Sequence, residues 1–309
     1  MLGQTKIASD GEICDKIEIA LKRIKAFEPP EGYYVAFSGG KDSQCVYHLC
    51  KMAGVKFDAH YNVTSVDPPE LVRFIKEKYP DVIFERNYDK NGKPITMWSL
   101  IPEHLMPPTM IVRYCCESLK ESNGKGRLTI TGVRASESSK RRANHGVMTV
   151  LDGGKKLKKV IEEEQAEYRE TKSGGIVLNY DNSEKHRMVE HCIRTGKALL
   201  NPIVDWDEDD VWEFLNGNGV EHCCLYDQGF QRLGCIGCPM GRAERMNRDF
   251  ERWPEYKRLY LRAFGRMIEE RKKRGLTIER WETPECVMKW WMYGRVEEDD
   301  NQPTMQMGD

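Results

Sequence analysis

Two groups of residues have the types and spacing that chemistry needs. One is a glycine-centred string, Ser38-Gly39-Gly40-Lys41-Asp42-Ser43; the other is four cysteines, the adjacent Cys115-Cys116 and the C-x-x-C pair Cys235 and Cys238. The glycine string falls where an apolar segment, YYVAF, gives way to a helical pattern over residues 42–52. Glycines at such a strand-to-helix turn let backbone N–H groups approach a phosphate closely, and the helix N-terminus adds partial positive charge. Ser38 and Ser43 offer hydroxyl donors there, Lys41 offers charge, and Asp42 can hold Mg2+ or a water bound to it. An ordinary turn is the alternative for SGG alone; the six-residue string in this context is far more specific. The G-x-x-x-x-G-K-[ST] spacing of a Walker loop is absent.

C-x-x-C is a chelating spacing, because both thiolates can face one ion across a tight turn, and the Cys-Pro that follows fits cluster-binding runs. Adjacent Cys-Cys chelation is stereochemically awkward, so the pair counts only in combination. A structural zinc on four cysteines and four unligated thiols stand as alternatives. Cys223-Cys224, just ahead of Cys235, is the rival pair, whereas Cys14, Cys45, Cys50 and Cys192 lack a partner at ligand spacing and read as buried or idle thiols. The chain has 11 cysteines. An odd number with two adjacent pairs suits a reducing compartment, with thiols or metal ligands instead of disulfides.

A third group, Gly132-Val133-Arg134-Ala135-Ser136-Glu137-Ser138, continues to Arg141 and begins at the end of the apolar segment RLTITGV. Ligands of open parallel sheets bind at the carboxyl ends of strands, where the planar fork of Arg134 suits a tetrahedral oxyanion. An exposed surface arginine is the alternative.

The elements that must position these groups follow from hydrophobic patterning. Residues 1–31 predict an amphipathic helix stopped by Pro29 and Pro30. YYVAF, VKFDAHYNV, VIFER, RLTITGV and ALLNPIV predict five strands, with helices over 42–52, 70–79 and 205–216 between and after them. That alternation predicts an α/β fold, a parallel sheet with helices on both faces, plus a C-terminal helical extension. The expected organisation is an N-terminal helix (1–31), a nucleotide-binding α/β domain (32–240) interrupted by an insertion near 150–195, and a helical region (241–309) ending in an acidic tail.

With 309 residues, 39% hydrophobic and 31% charged, the chain can bury a full core. Its net charge of −1 gives no global attraction to nucleic acid or membrane. Residues 242–274 carry twelve Lys and Arg against six Asp and Glu, either a solvated helix face or a nucleic-acid contact. The N-terminus has no signal-peptide core and no apolar run is long enough to span a membrane, so a cytoplasmic location is expected, without a membrane partner.

SGGKDS after a first strand resembles the pyrophosphate loop of the adenine nucleotide alpha-hydrolase group, which includes ATP pyrophosphatases, tRNA thiolation enzymes and the phosphoadenosine phosphosulfate (PAPS) reductases. The resemblance covers roughly residues 30–240. It implies an adenine nucleotide partner, with Ser38, Gly39, Gly40 and Ser43 contacting phosphates and residues 64–70 lying near the nucleotide. The pattern of Cys115, Cys116, Cys235 and Cys238, about 120 residues between the pairs, resembles the 4Fe–4S set of adenosine 5′-phosphosulfate (APS) reductases. G-x-R-x-x-E-S-x-x-R is similar to the anion loop of the PAPS reductases, with Arg134, Glu137, Ser138 and Arg141 at the matching positions. The segments Asn201-Pro202-Ile203 and Asp205-Trp206 look like those closing the family's nucleotide domain, a structural role.

Two departures bear on substrate. Sulfonucleotide reductases generally replace the GGKD portion of the loop, which is intact here, and they use a cysteine in a C-terminal ECG-type segment. This chain has Pro284-Glu285-Cys286-Val287 instead. Both departures favour ATP over APS or PAPS. The expectation is an enzyme in which Lys41, Asp42, Arg134 and Mg2+ promote attack on the α-phosphate by an acceptor, with release of pyrophosphate and a link to sulfur transfer. A sulfonucleotide reductase is the alternative, and a non-enzymatic nucleotide or redox sensor the second. A homodimer is also expected.

Overall fold

The computed structural model describes residues 6–7, 13–14, 16–124, 126–151, 168–171, 175–178 and 198–294. In chain order the strands are β1 (Lys6–Ile7), β2 (Ile13–Cys14), β3 (Tyr33–Ala36), β4 (Phe57–Asn62), β5 (Ile83–Glu85), β6 (Thr129–Ile130), β7 (Met148–Val150), β8 (Arg169–Glu170), β9 (Ile176–Leu178) and β10 (Ala198–Leu200). The helices are α1 (Lys16–Ala26), α2 (Lys41–Ala53), α3 (Pro69–Lys78), α4 (Met97–His104), α5 (Tyr114–Leu119), α6 (Ser139–Asn144), α7 (Glu208–Gly217), α8 (Arg242–Arg252), α9 (Pro254–Lys273) and α10 (Pro284–Tyr293). Two compact units result: Met1–Val63 with Pro69–Glu85 and Glu121–Gly234, and Thr64–Pro68 with Arg86–Lys120 and Cys235–Asp309.

The first unit is an eight-stranded sheet in the order β5-β4-β3-β6-β10-β7-β9-β8, flanked by helices. From β5 to β10 the pairings are parallel; β7, β9 and β8 join antiparallel. Central strands of a parallel sheet are covered on both faces and so read as unbroken apolar runs, as in β3, where Tyr33, Tyr34 and Val35 are all buried. The predicted α/β fold is therefore present, and its five expected strands form the parallel part. Within the stretch expected to interrupt the domain, β8 and β9 extend the sheet at its edge; the rest of that stretch, KKLKK included, lies outside the described residues.

Local chemistry sets the ends of these elements. The helix expected over 1–31 runs from Lys16 to Ala26 and is preceded by the β1–β2 ribbon. On its inner face Arg23 reaches Asp205 Oδ1 and the Pro202 carbonyl, both at 2.8 Å. The helix expected from residue 205 starts at Glu208, because Asp207 and Asp210 form a reciprocal capping box.

The second unit is helical. Helix α9 packs on α4, α8 and α10, burying Tyr260, Ala263, Phe264, Met267 and Ile268. Trp291 of α10 donates its indole N–H to the Pro108 carbonyl at 2.5 Å. Among the described residues no helix is long and apolar enough to cross a membrane.

Candidate functional site

The glycine string spans the turn from β3 into α2. Gly39 has φ +72°, and a Cβ there would lie 2.7 Å from Ile75 Cδ1 and Cγ1 and 2.8 Å from Leu71 Cδ1. Both backbone and space require glycine at 39. Gly40 differs: its φ of −81° and ψ of 159° suit any residue. A Cβ there would meet only Tyr226 Oη at 3.4 Å and Ser38 Oγ at 3.5 Å. Ser43 Oγ donates to the Gly40 carbonyl at 2.8 Å and accepts the Ser38 N–H at 3.1 Å, so the two serines brace the turn from inside.

Lys41 opens α2 and is 3% exposed. Its N–H donates to Tyr226 Oη at 2.9 Å, and its ammonium donates to the Gln231 carbonyl at 2.9 Å and lies 3.3 Å from Glu208 Oε1. Asp42 Oδ1 accepts from Arg134 Nε at 2.6 Å, although the two are far apart in sequence. The close approach depends on Gly132, where a Cβ would sit 2.7 Å from the Asp42 backbone carbon and oxygen. Arg134 is itself 3% exposed; it also donates to Ser136 Oγ at 3.0 Å and lies 3.6 Å from Glu208 Oε2. Loop, helix start and strand end are thus joined, bringing Ser38, Gly39, Gly40, Lys41, Asp42, Ser43 and Arg134 to one place. Arg141 pairs with Glu137, which also faces Arg232 at 3.5 Å; burial pushes the Arg141 guanidinium down from its ordinary range.

Tyr226, Gln231 and Glu208 were not read from the sequence. Their roles come from folding back across the loop, which no local spacing announces. A cavity of 350 Å³ lined by His48, Lys51, Lys78, Tyr79 and Glu221 lies at the far end of α2, opposite the glycine turn.

The four cysteines all belong to the second unit. Cys115 and Cys116 open α5, while Cys235 and Cys238 flank a turn in which Gly237 has φ +68° and no room for a Cβ, Phe250 Cζ being 2.6 Å away. Asp249 accepts the Gly237 N–H at 3.0 Å, and the Val66 carbonyl accepts the Ile236 N–H at 2.8 Å. Thr64, from the segment expected near a nucleotide, accepts from the Cys235 thiol at 3.7 Å.

All four thiols are free and half-exposed, and the charges of Cys116, Cys235 and Cys238 all bear on Cys115. The hydrogen bond from Cys115, then the Arg113 guanidinium 3.2 Å from Sγ, hold the Cys116 thiol well below the usual range; the same pairing pushes Cys115 up. Lys120 is exposed along much of its side chain, yet its ammonium is raised first by Cys235 and then by Asp67. Among the described residues no three His, Cys, Asp or Glu side chains stand as a ready metal site.

Cys223 and Cys224 interact with each other. Cys45 and Cys50 are buried with thiols pushed up by burial; Cys192 and the side chain of Cys14 lie outside the described residues. Cys286 lies in the first turn of α10, its N–H donating to Thr283 Oγ1 at 3.2 Å. Arg258, Arg262 and Arg266 are exposed at one-turn spacing along α9, with Arg258 paired to Glu255 and Arg266 bonded to the Trp98 carbonyl at 3.1 Å.

The sequence profile of the phosphoadenosine phosphosulfate reductase domain family matches residues 32–240. An uncharacterized protein of Methanocaldococcus jannaschii is 26% identical over 250 residues, 78% of this chain and 47% of that protein. The adenosine 5′-phosphosulfate reductase of Neisseria meningitidis serogroup B is 50% identical over 49 residues, 16% of this chain and 20% of the enzyme. The chain thus spans about half the length of the first relative and a fifth of the second. Among solved structures, the phosphoadenylyl-sulfate reductase of Candida auris in its phosphate complex aligns with 75% of this chain and 98% of its own, at TM-score 0.38 and 13% identity. The FMN adenylyltransferase of Candida glabrata aligns with 72% of this chain and 62% of its own, at TM-score 0.37 and 16% identity.

Proposed function

The chain belongs to the phosphoadenosine phosphosulfate reductase domain family, and from that membership we propose that it is an ATP-dependent enzyme of sulfur chemistry. ATP binds with Mg2+ at residues 38–43. An acceptor hydroxyl or carbonyl oxygen attacks the α-phosphate, its bond to the β-phosphate bridge breaks, and pyrophosphate leaves with the acceptor adenylated.

The observation that carries this reading is Lys41. A buried ammonium is costly unless its charge is answered, and this 3% exposed lysine stands at the glycine turn, held by the Gln231 carbonyl, the half-exposed Glu208 carboxylate and the face of the Tyr226 ring. A triphosphate at the same turn would exchange with these partners, its oxygens replacing the Gln231 carbonyl and the Glu208 carboxylate around the ammonium. Asp42 and Arg134 fit the same chemistry. Asp42 would hold the Mg2+ that accompanies the triphosphate, and Arg134, now bonded to Asp42, would then be free to stabilise charge developing on the phosphates.

Cys115, Cys116, Cys235 and Cys238 would hold a 4Fe–4S cluster. The donor set fits in kind, four free thiols of one unit with Arg113 3.2 Å from Cys116 Sγ, although no three of them stand as a ready metal site among the described residues. Such a cluster supplies electron transfer, or sulfide, at the cysteine turn.

Anaerobically purified protein supplied with Mg·ATP and candidate acceptors should release pyrophosphate and no sulfite from APS or PAPS. One observation favours a second reading, reduction of a sulfonucleotide: the segment that is 50% identical to an APS reductase. Sulfite release from APS or PAPS without pyrophosphate from ATP would select it. Tight binding with neither product would select a sensor instead.

A further inference from the structure

Residues 221–231 cross the glycine turn as a strap, and their contacts with it are specific. The Glu221 carbonyl accepts from Gln44 Nε2 at 2.8 Å, Tyr226 Oη accepts the Lys41 N–H at 2.9 Å, and the Gln231 carbonyl accepts from the Lys41 ammonium at 2.9 Å. Two of these contacts occupy the donors that a phosphate at the turn would use, the first N–H of α2 and the lysine ammonium. The Lys41 ammonium also lies 5.6 Å from the centroid of the Tyr226 ring.

Near the start of the strap stand two adjacent thiols in different surroundings. Cys223 is fully buried and Cys224 is exposed, yet the two interact side chain to side chain. The Cys223 carbonyl accepts the Tyr226 N–H at 3.0 Å, closing the turn that aims the phenol at Lys41. A disulfide needs its two Cβ atoms about 3.5–4.5 Å apart at a fixed torsion. To meet that, either the buried thiol leaves the core or the exposed one enters it, and the peptide between them rotates. That peptide carries the Tyr226 acceptor.

We propose that Cys223 and Cys224 form a reversible dithiol–disulfide modification site that opens the strap and frees the glycine turn for phosphates. The oxidant is a low-molecular-weight disulfide. The Cys224 thiolate attacks one of its sulfurs and expels the first thiol; Cys223 then loses its proton and displaces the second, leaving a Cys223–Cys224 bond and two reduced small thiols. Two electrons pass from the protein thiols to the small disulfide. Burial pushes the Cys223 thiol up to about 11, consistent with the exposed Cys224 acting first. Because strap closure and phosphate binding compete for the same donors, they are linked reciprocally: nucleotide should expose Cys223 just as oxidation should favour nucleotide.

The inference rests on phosphate binding at the turn, so its test needs a readout independent of nucleotide. Trp212 supplies one, its ring edge-on to Tyr226 at 5.1 Å. Full-length protein would be equilibrated with glutathione disulfide and mapped by mass spectrometry, with emission spectra compared between wild type and Trp212→Phe. A loss of two hydrogens on the peptide holding both cysteines is expected, with a change in the Trp212 component that a dithiol reductant reverses. Mg·ATP affinity should rise about tenfold, the worth of one competing hydrogen bond removed. Cys224→Ser should abolish both responses. Disulfide formation without a change in Trp212 emission would overturn the switch, as would a stable mixed disulfide on Cys224 alone. If Mg·ATP binds neither form, the nucleotide reading fails, and the Trp212 response alone judges the switch.

Discussion

Gly39 and Gly40 are neighbours in sequence, yet backbone and packing require glycine only at 39. Replacing Gly39 by alanine places an L-residue at φ +72°, which costs about 1–2 kcal/mol. Its methyl would also sit 2.7 Å from Ile75 and 2.8 Å from Leu71, and such overpacking costs about 1–3 kcal/mol. Removing a glycine from the unfolded chain returns about 0.4–1 kcal/mol. The net loss for Gly39→Ala is about 1–4.5 kcal/mol, against the about 5–15 kcal/mol that holds a domain. Gly40→Ala meets none of this: its backbone angles are ordinary and its nearest contact is 3.4 Å away, so stability should change by less than about 0.5 kcal/mol. Its methyl, however, lies where a phosphate would approach, and Mg·ATP binding should weaken at least about tenfold, near 1.4 kcal/mol. Urea unfolding followed by tryptophan emission, beside equilibrium nucleotide titration, separates the two effects. An unchanged midpoint for Gly39→Ala would refute the packing argument. A Gly40→Ala protein that binds Mg·ATP like wild type would refute the assignment of that space to phosphate.

Anaerobically reconstituted protein should hold about four irons per chain, the content of one 4Fe–4S cluster. Cys116→Ser or Cys238→Ser should abolish the visible absorbance while Cys14→Ser leaves it; stoichiometric zinc without iron would contradict the assignment. Asp58 gives a pH prediction: its hydrogen bonds from Arg127, the closer at 2.5 Å, hold its carboxyl below the usual range. A carboxyl with a folded pKa below its unfolded value binds fewer protons when folded, so it stabilises at neutral pH and loses that contribution as pH falls through the folded pKa. Asp58→Asn should therefore cost about 1 kcal/mol or less at pH 7, given its partial exposure, and the difference from wild type should shrink in urea titrations as the pH is lowered below about 4. Cys286→Ser should leave ATP-dependent activity unchanged, since Cys286 sits at a helix start beside Glu285 with Val287 and Met288 buried behind it. An S-sulfonate on Cys286 after incubation with APS or PAPS, seen by mass spectrometry, would transfer the assignment to sulfonucleotide reduction.

What was legible in the sequence was whatever depends on near neighbours. The apolar runs of β3, β4 and β10 marked a buried parallel sheet because each strand is covered on both faces. The glycine turn was legible for the same reason, since its serines brace one another within five residues. Sheet order was not, because β7, β8 and β9 pair antiparallel beyond β10 through contacts no local pattern encodes. The start of α7 was misplaced because Asp205 and Asp207 look alike in sequence, and only the reciprocal bonds with Asp210 choose the cap. Spacing marked Cys235 and Cys238, and a resemblance to the APS reductase pattern joined Cys115 and Cys116 to them, but Arg113 and Lys120, which act on their charge, are distinguishable only once α5 has formed.

The same distinction explains how the glycine turn is built. Each of its polar groups already has a partner supplied from far along the chain: Asp42 has Arg134, the Lys41 ammonium has Gln231 and Glu208, and the Lys41 N–H has Tyr226. A phosphate arriving there exchanges partners and does not fill vacancies, so the free energy of binding is a difference between two satisfied states. On the proposed reading such a site would bind modestly yet selectively, because only a ligand with several oxygens can replace all the displaced partners at once. The glycines at 39 and 132 hold this arrangement together for one reason: each lets two backbones or a backbone and a core side chain approach closer than any Cβ would permit. Their bareness sets the geometry, and the charged residues around them act within it.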